Sequence, residues 1–163
     1  MKHKNDGPAR LDHRGFSLVE IMVAVGIMGL LLAISVPGIR NYLASWRLNG
    51  DVSSMAMMMR AARSTAVNKN IDVVFVFDQS EGEFFYVEDV DGDGVADGNE
   101  LQSGTHTLAT GNVIQSFTTP QQWVTFTPRG STADGGTITV QNNKNMSSRT
   151  IRVYSGTGNV TFQ

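Results

Sequence analysis

The chain has 163 residues, of which 40% are hydrophobic and 17% charged, and its formal net charge is -2 at pH 7. That length provides one globular domain with a modest core beside any membrane segment. The sequence contains no cysteine, which excludes disulfides and thiol catalysis, and its charge lacks the dense basic footprint of a strong nucleic-acid binder.

Residues 1–15 are a short polar leader. Basic side chains outnumber acidic ones in it: Lys2, Lys4, Arg10 and Arg14 against Asp6 and Asp12. Positive charges remain on the cytoplasmic side of a membrane segment, so the chain that follows the next apolar run is expected to face outward.

Residues 16–36 are almost wholly apolar and are long enough, at roughly 30 Å of helix, to cross a bilayer. Glu20 is the only charged residue among them. A charge inside lipid costs about 2.5 kcal/mol or more and usually has a partner and a function. In a secretory signal the small residue at the cleavage site follows the apolar core, whereas Gly15 precedes it. A cut between Gly15 and Phe16 would create an α-amine close to Glu20, which is the natural partner for the acid.

The stretch "GFSLVE" resembles the type III signal of type IV pilins and type II secretion pseudopilins. The resemblance implies that a prepilin peptidase cuts after Gly15 and that Phe16 is then N-methylated. It implies that Glu20, the fifth mature residue, meets the N-terminus of an adjacent subunit during assembly, and that Pro37 kinks the helix. It also implies a single-pass protein of the bacterial inner membrane, with its C-terminal domain in the periplasm, that is later assembled into a pilus or pseudopilus.

Residues 37–68 are predicted to continue the helix as an amphipathic half. Apolar residues recur there at three- and four-residue steps: Ile39, Tyr42, Leu43, Trp46, Val52, Met55, Met59, Ala62 and Ala66. We therefore predict one long helix from about residue 16 to about residue 68, with this stripe covered by a sheet. The methionines at positions 55 and 57–59 fit core packing under that sheet better than an adaptable binding surface.

Residues 69–163 are predicted to form a periplasmic β-domain. The runs "IDVVFVF" and "GEFFYVE" are separated by "DQSE", which indicates a hairpin. Five further β-runs follow: "NVIQSF", "WVTFTP", "GTITVQ", "RTIRVY" and "GNVTFQ". The predicted fold class is α+β, with a long N-terminal helix packed on an antiparallel β-sheet or small β-sandwich.

Three segments resemble the GspH/FimT group of the pilin superfamily: "RAARSTAVNKNIDVVF", "WVTFTPRGST" and "RTIRVYSGTGNVTF". The resemblance implies a minor pilin of an initiating or tip complex, with other pilins or pseudopilins as partners. A minor pseudopilin of a type II secretion system remains an alternative. In many major pilins a disulfide closes a C-terminal loop, and this cysteine-free chain cannot form one.

Catalysis is not expected. His106 is the only histidine after the leader, no nucleophile elbow surrounds it, and zinc lacks ligands, so we place it in a loop. The resemblance makes the chain a substrate of prepilin peptidase. Some members of the group are DNA receptors, and residues 101–163 hold four basic residues against Asp134 alone. These charges are spread through strands, so ordinary surface charge is favoured and DNA binding remains a second alternative.

The stretch "DVDGDGVADGNE" has the spacing of a calcium loop. Carboxylates fall at loop positions 1, 3, 5, 9 and 12, and the carbonyl at position 7 completes the set: Asp89, Asp91, Asp93, Val95, Asp97 and Glu100. Gly94 fills position 6, where the loop turns sharply. The sequence predicts a weak structural Ca²⁺ site, with a ligand-free Asp-Gly turn as the alternative. The next segment, "LQSGTHTL", does not look like the exit helix of an EF-hand.

Overall fold

The computed structural model describes residues 15–94, 96 and 100–163, and the side chains of Val36 and Pro37 lie outside the description. The chain divides into two compact units, the first ending at Ile39 and the second comprising Arg40–Gln163. The predicted leader, residues 1–15, lies outside the described residues except for Gly15.

A single helix, α1 (Leu18–Lys69), confirms the predicted long N-terminal helix. Ser17 caps its start, since the Ser17 Oγ accepts the backbone N–H of Glu20 at 3.2 Å. The helix ends at Lys69, and the next residue, Asn70, has a φ of 57° in the left-handed region that commonly terminates helices. The backbone remains helical through position 37, and the predicted kink at Pro37 stays a prediction.

The front part of α1 is exposed on every side. Every described side chain from Leu18 to Ser35 faces solvent, and nearly all are apolar. The hydroxyl of Ser35 donates to the carbonyl of Leu31 at 2.8 Å, so this polar group is satisfied within the helix. By length and composition this helix is able to cross a membrane.

The back part of α1, within the second unit, buries one face. The buried residues recur at three- and four-residue steps: Ala44, Leu48, Val52, Met55, Ala56, Met59, Ala62 and Ala66. Met58 packs partly against the core, and Met57 is 55% exposed. The methionine cluster therefore divides between the core and the surface, with Met55 and Met59 wholly buried.

The start of the predicted buried stripe is wrong. Ile39, Tyr42 and Trp46 are 63%, 73% and 65% exposed, and Leu43 is 42% exposed. Apolar residues recur at helical spacing on two faces of this stretch, and the sheets cover the face that carries Leu48 and Val52. Periodicity alone does not distinguish a face that a sheet covers from one that it leaves open.

Two antiparallel sheets complete the second unit. The first contains β1 (Asp72–Asp78), β2 (Glu83–Asp89), β3 (Leu101–Gln102), β4 (His106–Thr107) and β6 (Trp123–Phe126), in the order β3-β2-β1-β6 with β4 also paired to β2. The second contains β5 (Asn112–Phe117), β7 (Gly136–Asn142), β8 (Ser148–Val153) and β9 (Val160–Phe162), in the order β5-β7-β8-β9. The predicted β1–β2 hairpin is confirmed, with Asp78 opposite Glu83 at its turn.

The two sheets and the back of α1 share one hydrophobic core, which confirms the α+β fold class. Buried aromatic residues of the first sheet, Phe75, Phe77, Phe84 and Phe126, meet buried aliphatic residues of the second, Ile138 and Ile151 among them. The predicted loop position of His106 is wrong. It lies in the two-residue strand β4, and its ring stacks on that of Phe84 with centroids 5.1 Å apart.

Arginines near the end of α1 join the helix to the loop at Gly130 and to the last strand, β9. The Nε of Arg63 donates to the carbonyl of Gly130 at 2.7 Å, and Arg60 donates to the carbonyl of Val160 at 2.8 Å. Gly158 has a φ of 61°, and a Cβ added there would meet the Gly130 carbonyl oxygen. A glycine at position 158 therefore permits this close approach of two loops.

Candidate assembly segment and acidic loop

The predicted processing site lies just outside α1. Gly15 and Phe16 precede the first helical residue, and Phe16 is 79% exposed. A Cβ added at Gly15 would meet nothing within 4 Å. The Gly15–Phe16 peptide bond is therefore neither held in the helix nor covered by the described part of the first unit.

Glu20 is a charged group in an apolar setting. It lies in the first turn of α1, where its negative charge suits the positive end of the helix dipole. Together with Phe16, Ile21, Val25 and Met28 it lines a shallow apolar groove of about 360 Å³. Among the described residues, no hydrogen-bond or salt-bridge partner meets its carboxylate. The acid is therefore available to a cation supplied from outside this segment.

The sequence reasoning missed the helix cap that this acid belongs to. Ser17 and Glu20 have the S-x-x-E spacing of a capping box, and the Ser17 Oγ accepts the Glu20 N–H. That spacing was a sequence signal for the start of α1 at Leu18 rather than at Phe16.

The acidic loop after β2 brings three of its predicted ligands together. One carboxylate oxygen from each of Asp89, Asp91 and Asp93 lies within 4.8 Å of the others. Asp89 is 2% exposed, and its two oxygens accept the N–H groups of Gly92 at 2.7 Å and Gly94 at 2.9 Å. These bonds fold the loop around the Asp89 carboxylate.

The remaining predicted ligands are less completely described. Glu100 accepts the backbone N–H of Val90 at 3.1 Å, which closes the base of the loop. Val95 and Asp97, loop positions 7 and 9, lie outside the described residues. Gly92 and Gly94 both have positive φ, at 77° and 75°, as a turn this tight requires.

A salt bridge beside this loop was not predicted. The Lys69 Nζ at the end of α1 lies 2.7 Å from both carboxylate oxygens of Glu88, which is 9% exposed. This pair ties the helix end to β2 immediately before the acidic loop. A lysine in a last helical turn is common, so the sequence carried no signal that singled out its partner across 19 residues.

Comparison with known proteins identifies the family. The sequence model of the family described as type II transport protein GspH matches residues 51–157. The chain belongs to the GspH family. A second model, the prokaryotic N-terminal methylation motif, matches residues 10–36 and so contains Gly15, Phe16 and Glu20. The resemblance drawn from the sequence to minor pilins and pseudopilins of this group is confirmed.

Solved structures share the fold of this GspH-family chain. The minor pseudopilin EpsH from the type 2 secretion system of Vibrio cholerae matches with a TM-score of 0.57 and 11% identity, over 72% of this chain and 96% of that one. The type IV minor pilin FimU of Pseudomonas aeruginosa matches with a TM-score of 0.55 and 18% identity, over 71% and 87%. At such identities the likeness shows the fold alone.

Relatives by sequence match over shorter spans. The type IV major fimbrial protein FimA of Dichelobacter nodosus is 33% identical over 64 residues, which is 39% of this chain and 40% of the relative. A fimbrial protein of Pseudomonas aeruginosa is 37% identical over 51 residues, or 31% and 33%. The GspH-family chain thus spans 31% to 40% of the length of the curated relatives that it matches.

Proposed function

We propose that this chain is a minor pilin that assembles through the front of α1 into a type IV pilus, in an initiating or tip complex. The observation that carries the proposal is Glu20, a carboxylate with no partner in the described chain, on a helix that is apolar and exposed on every side. An apolar surface of that extent needs a bilayer or other apolar helices around it. The acid needs a cation in that same environment.

Processing supplies the cation in this proposal. Prepilin peptidase of the inner membrane removes residues 1–15 and frees the α-amine of Phe16, which is then N-methylated. The amine of one subunit meets Glu20 of its neighbour during assembly, while the second unit faces the periplasm. The chain is a structural subunit and a peptidase substrate, and its chemistry is assembly rather than catalysis.

A minor pseudopilin of a type II secretion system is the alternative. Two findings favour it: the description of the matching family and the fold likeness to EpsH. Both functions use the same processing and the same helix, so the distinction lies in the partner subunits.

The test is co-purification of the full chain with its partner subunits from detergent-extracted membranes. Glu20→Ala should leave the second unit folded, because Glu20 lies in the first unit. Removing one partner of a buried ion pair costs about 3 kcal/mol or more, so recovery of partner subunits should fall by roughly a hundredfold. Partner subunits are identified by mass spectrometry, which also separates pilus from secretion components.

The control is Glu81→Ala, which removes an exposed carboxylate from the β1–β2 turn. It should leave recovery unchanged. Equal recovery of partners with Glu20→Ala and with the unaltered chain would contradict assembly through the acid.

We further propose that the acidic loop binds Ca²⁺ as a structural ion. The clustered oxygens of Asp89, Asp91 and Asp93 support this, since Ca²⁺ takes six to eight oxygen ligands in flexible geometry. Binding would offset the repulsion among these carboxylates and stabilise the loop that connects β2 to β3. Affinity in the extracellular range, about 10⁻⁴ to 10⁻³ M, is expected for such a loop.

Unfolding of the full chain in neutral detergent, with Ca²⁺ or with excess chelator, tests the ion. At a Ca²⁺ concentration of about ten times Kd, the free energy of unfolding should rise by about 1.4 kcal/mol. Asp91→Asn with Asp93→Asn should abolish that rise, whereas Glu81→Gln should not. The same unfolding midpoint with Ca²⁺ and with chelator would remove the calcium proposal and leave the assembly proposal intact.

A further inference from the structure

A basic groove lies on the second unit, between the start of its helix and two loops of the β-domain. It encloses about 400 Å³. Arg40 and Arg47 line it from α1, Lys144 lines it from the turn after β7, and Thr110 and Asn142 complete the polar wall. Among the described residues, those that line the groove include three cations and no carboxylate.

These three cations have no counter-charge within the described chain. No hydrogen bond or salt bridge involves the side chains of Arg40, Arg47 or Lys144 among the described residues. The nearby acid on the helix, Asp51, is already held, because its Oδ2 accepts the N–H of Ala109 at 2.8 Å and the amide of Asn112 at 2.6 Å. Like charges that converge without a partner repel each other, so an anion in the groove would be stabilised.

The floor of the groove is rigid. Asn142 is 1% exposed, and its amide donates to the Oδ1 of Asn112 at 2.6 Å. The Oδ1 of Asn142 accepts the backbone N–H groups of Lys144 at 3.0 Å and Asn145 at 3.3 Å. The turn that carries Lys144 is therefore fixed by a buried network that begins at Asp51 on the helix. A fixed arrangement of cations loses little entropy when an anion binds.

The position of the groove along the chain indicates where that anion comes from. Arg40 follows Val36, the last residue of the apolar run, by four positions, and four residues extend over at most about 14 Å. A headgroup layer is about 5 to 8 Å thick. With the apolar run in a bilayer, the length of the intervening chain therefore keeps Arg40 within or just beyond the headgroups.

Exposed aromatic residues accompany the groove. Tyr42 and Trp46, on the same helical stretch, are 73% and 65% exposed. Tyrosine and tryptophan are enriched at the membrane–water interface, where an apolar ring and a polar edge are both accommodated. Lysine and arginine beside them are the residues that bind anionic headgroups. This exposed stretch of the helix therefore has the composition of an interfacial segment.

We propose that this groove binds the phosphate group of an anionic phospholipid in the membrane that anchors the chain. The ligand chemistry is a phosphodiester, held by Arg40, Arg47 and Lys144 and by the hydroxyl of Thr110. Occupation of the groove holds the second unit against the membrane surface before the subunit enters a filament. This site goes beyond assembly through Glu20 and depends only on membrane anchorage.

The test is native mass spectrometry of the full chain in neutral detergent, titrated with phosphatidylglycerol and, separately, with phosphatidylcholine. Phosphatidylglycerol should bind more tightly. A surface cation contributes about 1 kcal/mol to anionic lipid binding, so Arg47→Gln with Lys144→Gln should weaken phosphatidylglycerol about 20- to 30-fold. Binding of phosphatidylcholine should not change.

The matched control is Arg129→Gln with Arg152→Gln, which removes the same charge from exposed residues of the second unit outside the groove. It should retain phosphatidylglycerol binding. Equal loss in both double variants, or equal affinity for the two lipids, would overturn the proposal.

Two further probes separate the sources of phosphate. Inorganic phosphate should bind weakly and compete with the lipid, which supports the phosphate as the recognised group. A DNA oligonucleotide that binds the groove more tightly than phosphatidylglycerol, with loss in the Arg47 and Lys144 variant, would overturn the lipid assignment in favour of nucleic acid. Equal affinity for the two lipids, together with reduced partner recovery in Glu20→Ala, would overturn the lipid proposal and leave the assembly proposal standing.

Discussion

The two parts of α1 use similar residues for different purposes. From Leu18 to Ser35 the helix is apolar on all faces, and every described side chain is exposed. From Leu48 to Ala66 the helix buries a single face beneath two sheets. The apolar face of the back part packs against sheets of the same chain. The apolar surface of the front part instead requires lipid or other subunits around it. The same kind of mutation should therefore affect folding in one part and assembly in the other.

Methionine substitutions test this comparison with the largest expected effect. Met59 is fully buried, and Met28 is 65% exposed. Met59→Ala should lower the free energy of unfolding by about 2 to 5 kcal/mol, because it removes buried methylene groups and leaves a cavity. Met28→Ala should leave it unchanged within about 0.5 kcal/mol. Urea unfolding of the full chain in neutral detergent, followed by near-UV circular dichroism, measures both, and equal effects would break the comparison.

Glycine substitutions should separate folding from assembly. Gly158→Ala places a Cβ against the Gly130 carbonyl at a φ of 61°, so we expect a loss of about 2 to 4 kcal/mol in unfolding free energy. Gly29→Ala meets nothing within 4 Å and should not reduce stability. Small residues let membrane helices approach closely, so Gly29→Ala should instead reduce recovery of partner subunits. Gly158→Ala should lower the free energy of unfolding more than Gly29→Ala does, and Gly29→Ala should lower partner recovery more than Gly158→Ala does. Urea unfolding and co-purification measure the two effects.

Acid should lower the unfolding free energy of the second unit through the β1–β2 hairpin. This effect should be smaller than those of the methionine and glycine substitutions. The Ser80 hydroxyl, followed by the N–H groups of Glu81 and Ser80, holds the pKa of Asp78 below its ordinary value of 3.8. A lowered folded-state pKa contributes stability above the unfolded value and loses it as pH falls through the folded value. Stability should therefore decline below about pH 4, and Asp78→Asn should reduce that decline. The same pH dependence of the unfolding free energy in Asp78→Asn and in the unaltered chain would contradict a contribution from Asp78.

Much of the fold follows from local sequence. The β1–β2 hairpin was predictable because "DQSE" separates two apolar runs, and α1 because its apolar spacing persists past Pro37. The short strands β3 and β4 were not, since two residues each carry no periodicity. The exposed face of Tyr42 and Trp46 was missed because only the packed sheets decide which apolar face is covered.

The candidate sites also divide into those that local sequence predicts and those that only the folded chain brings together. The proposed processing residues lie within one short motif, and the proposed ligands of the acidic loop fall in twelve consecutive positions, so spacing alone was enough to predict both sites. The Lys69–Glu88 pair and the basic groove join residues distant in sequence. Arg47 and Lys144 meet only because the turn after β7 returns to the helix, and no single-sequence pattern encodes that approach.

The mass of the mature chain is the decisive measurement for processing at Gly15 and Phe16. The chain would be produced in cells that contain its peptidase, extracted in neutral detergent and measured intact, with fragmentation of its N-terminus. We expect a mature chain that begins at Phe16 and carries one N-methyl group, with accumulation of the uncut precursor when Gly15 is changed to Val. A chain that retains residues 1–15, or that begins at any other residue, would contradict it.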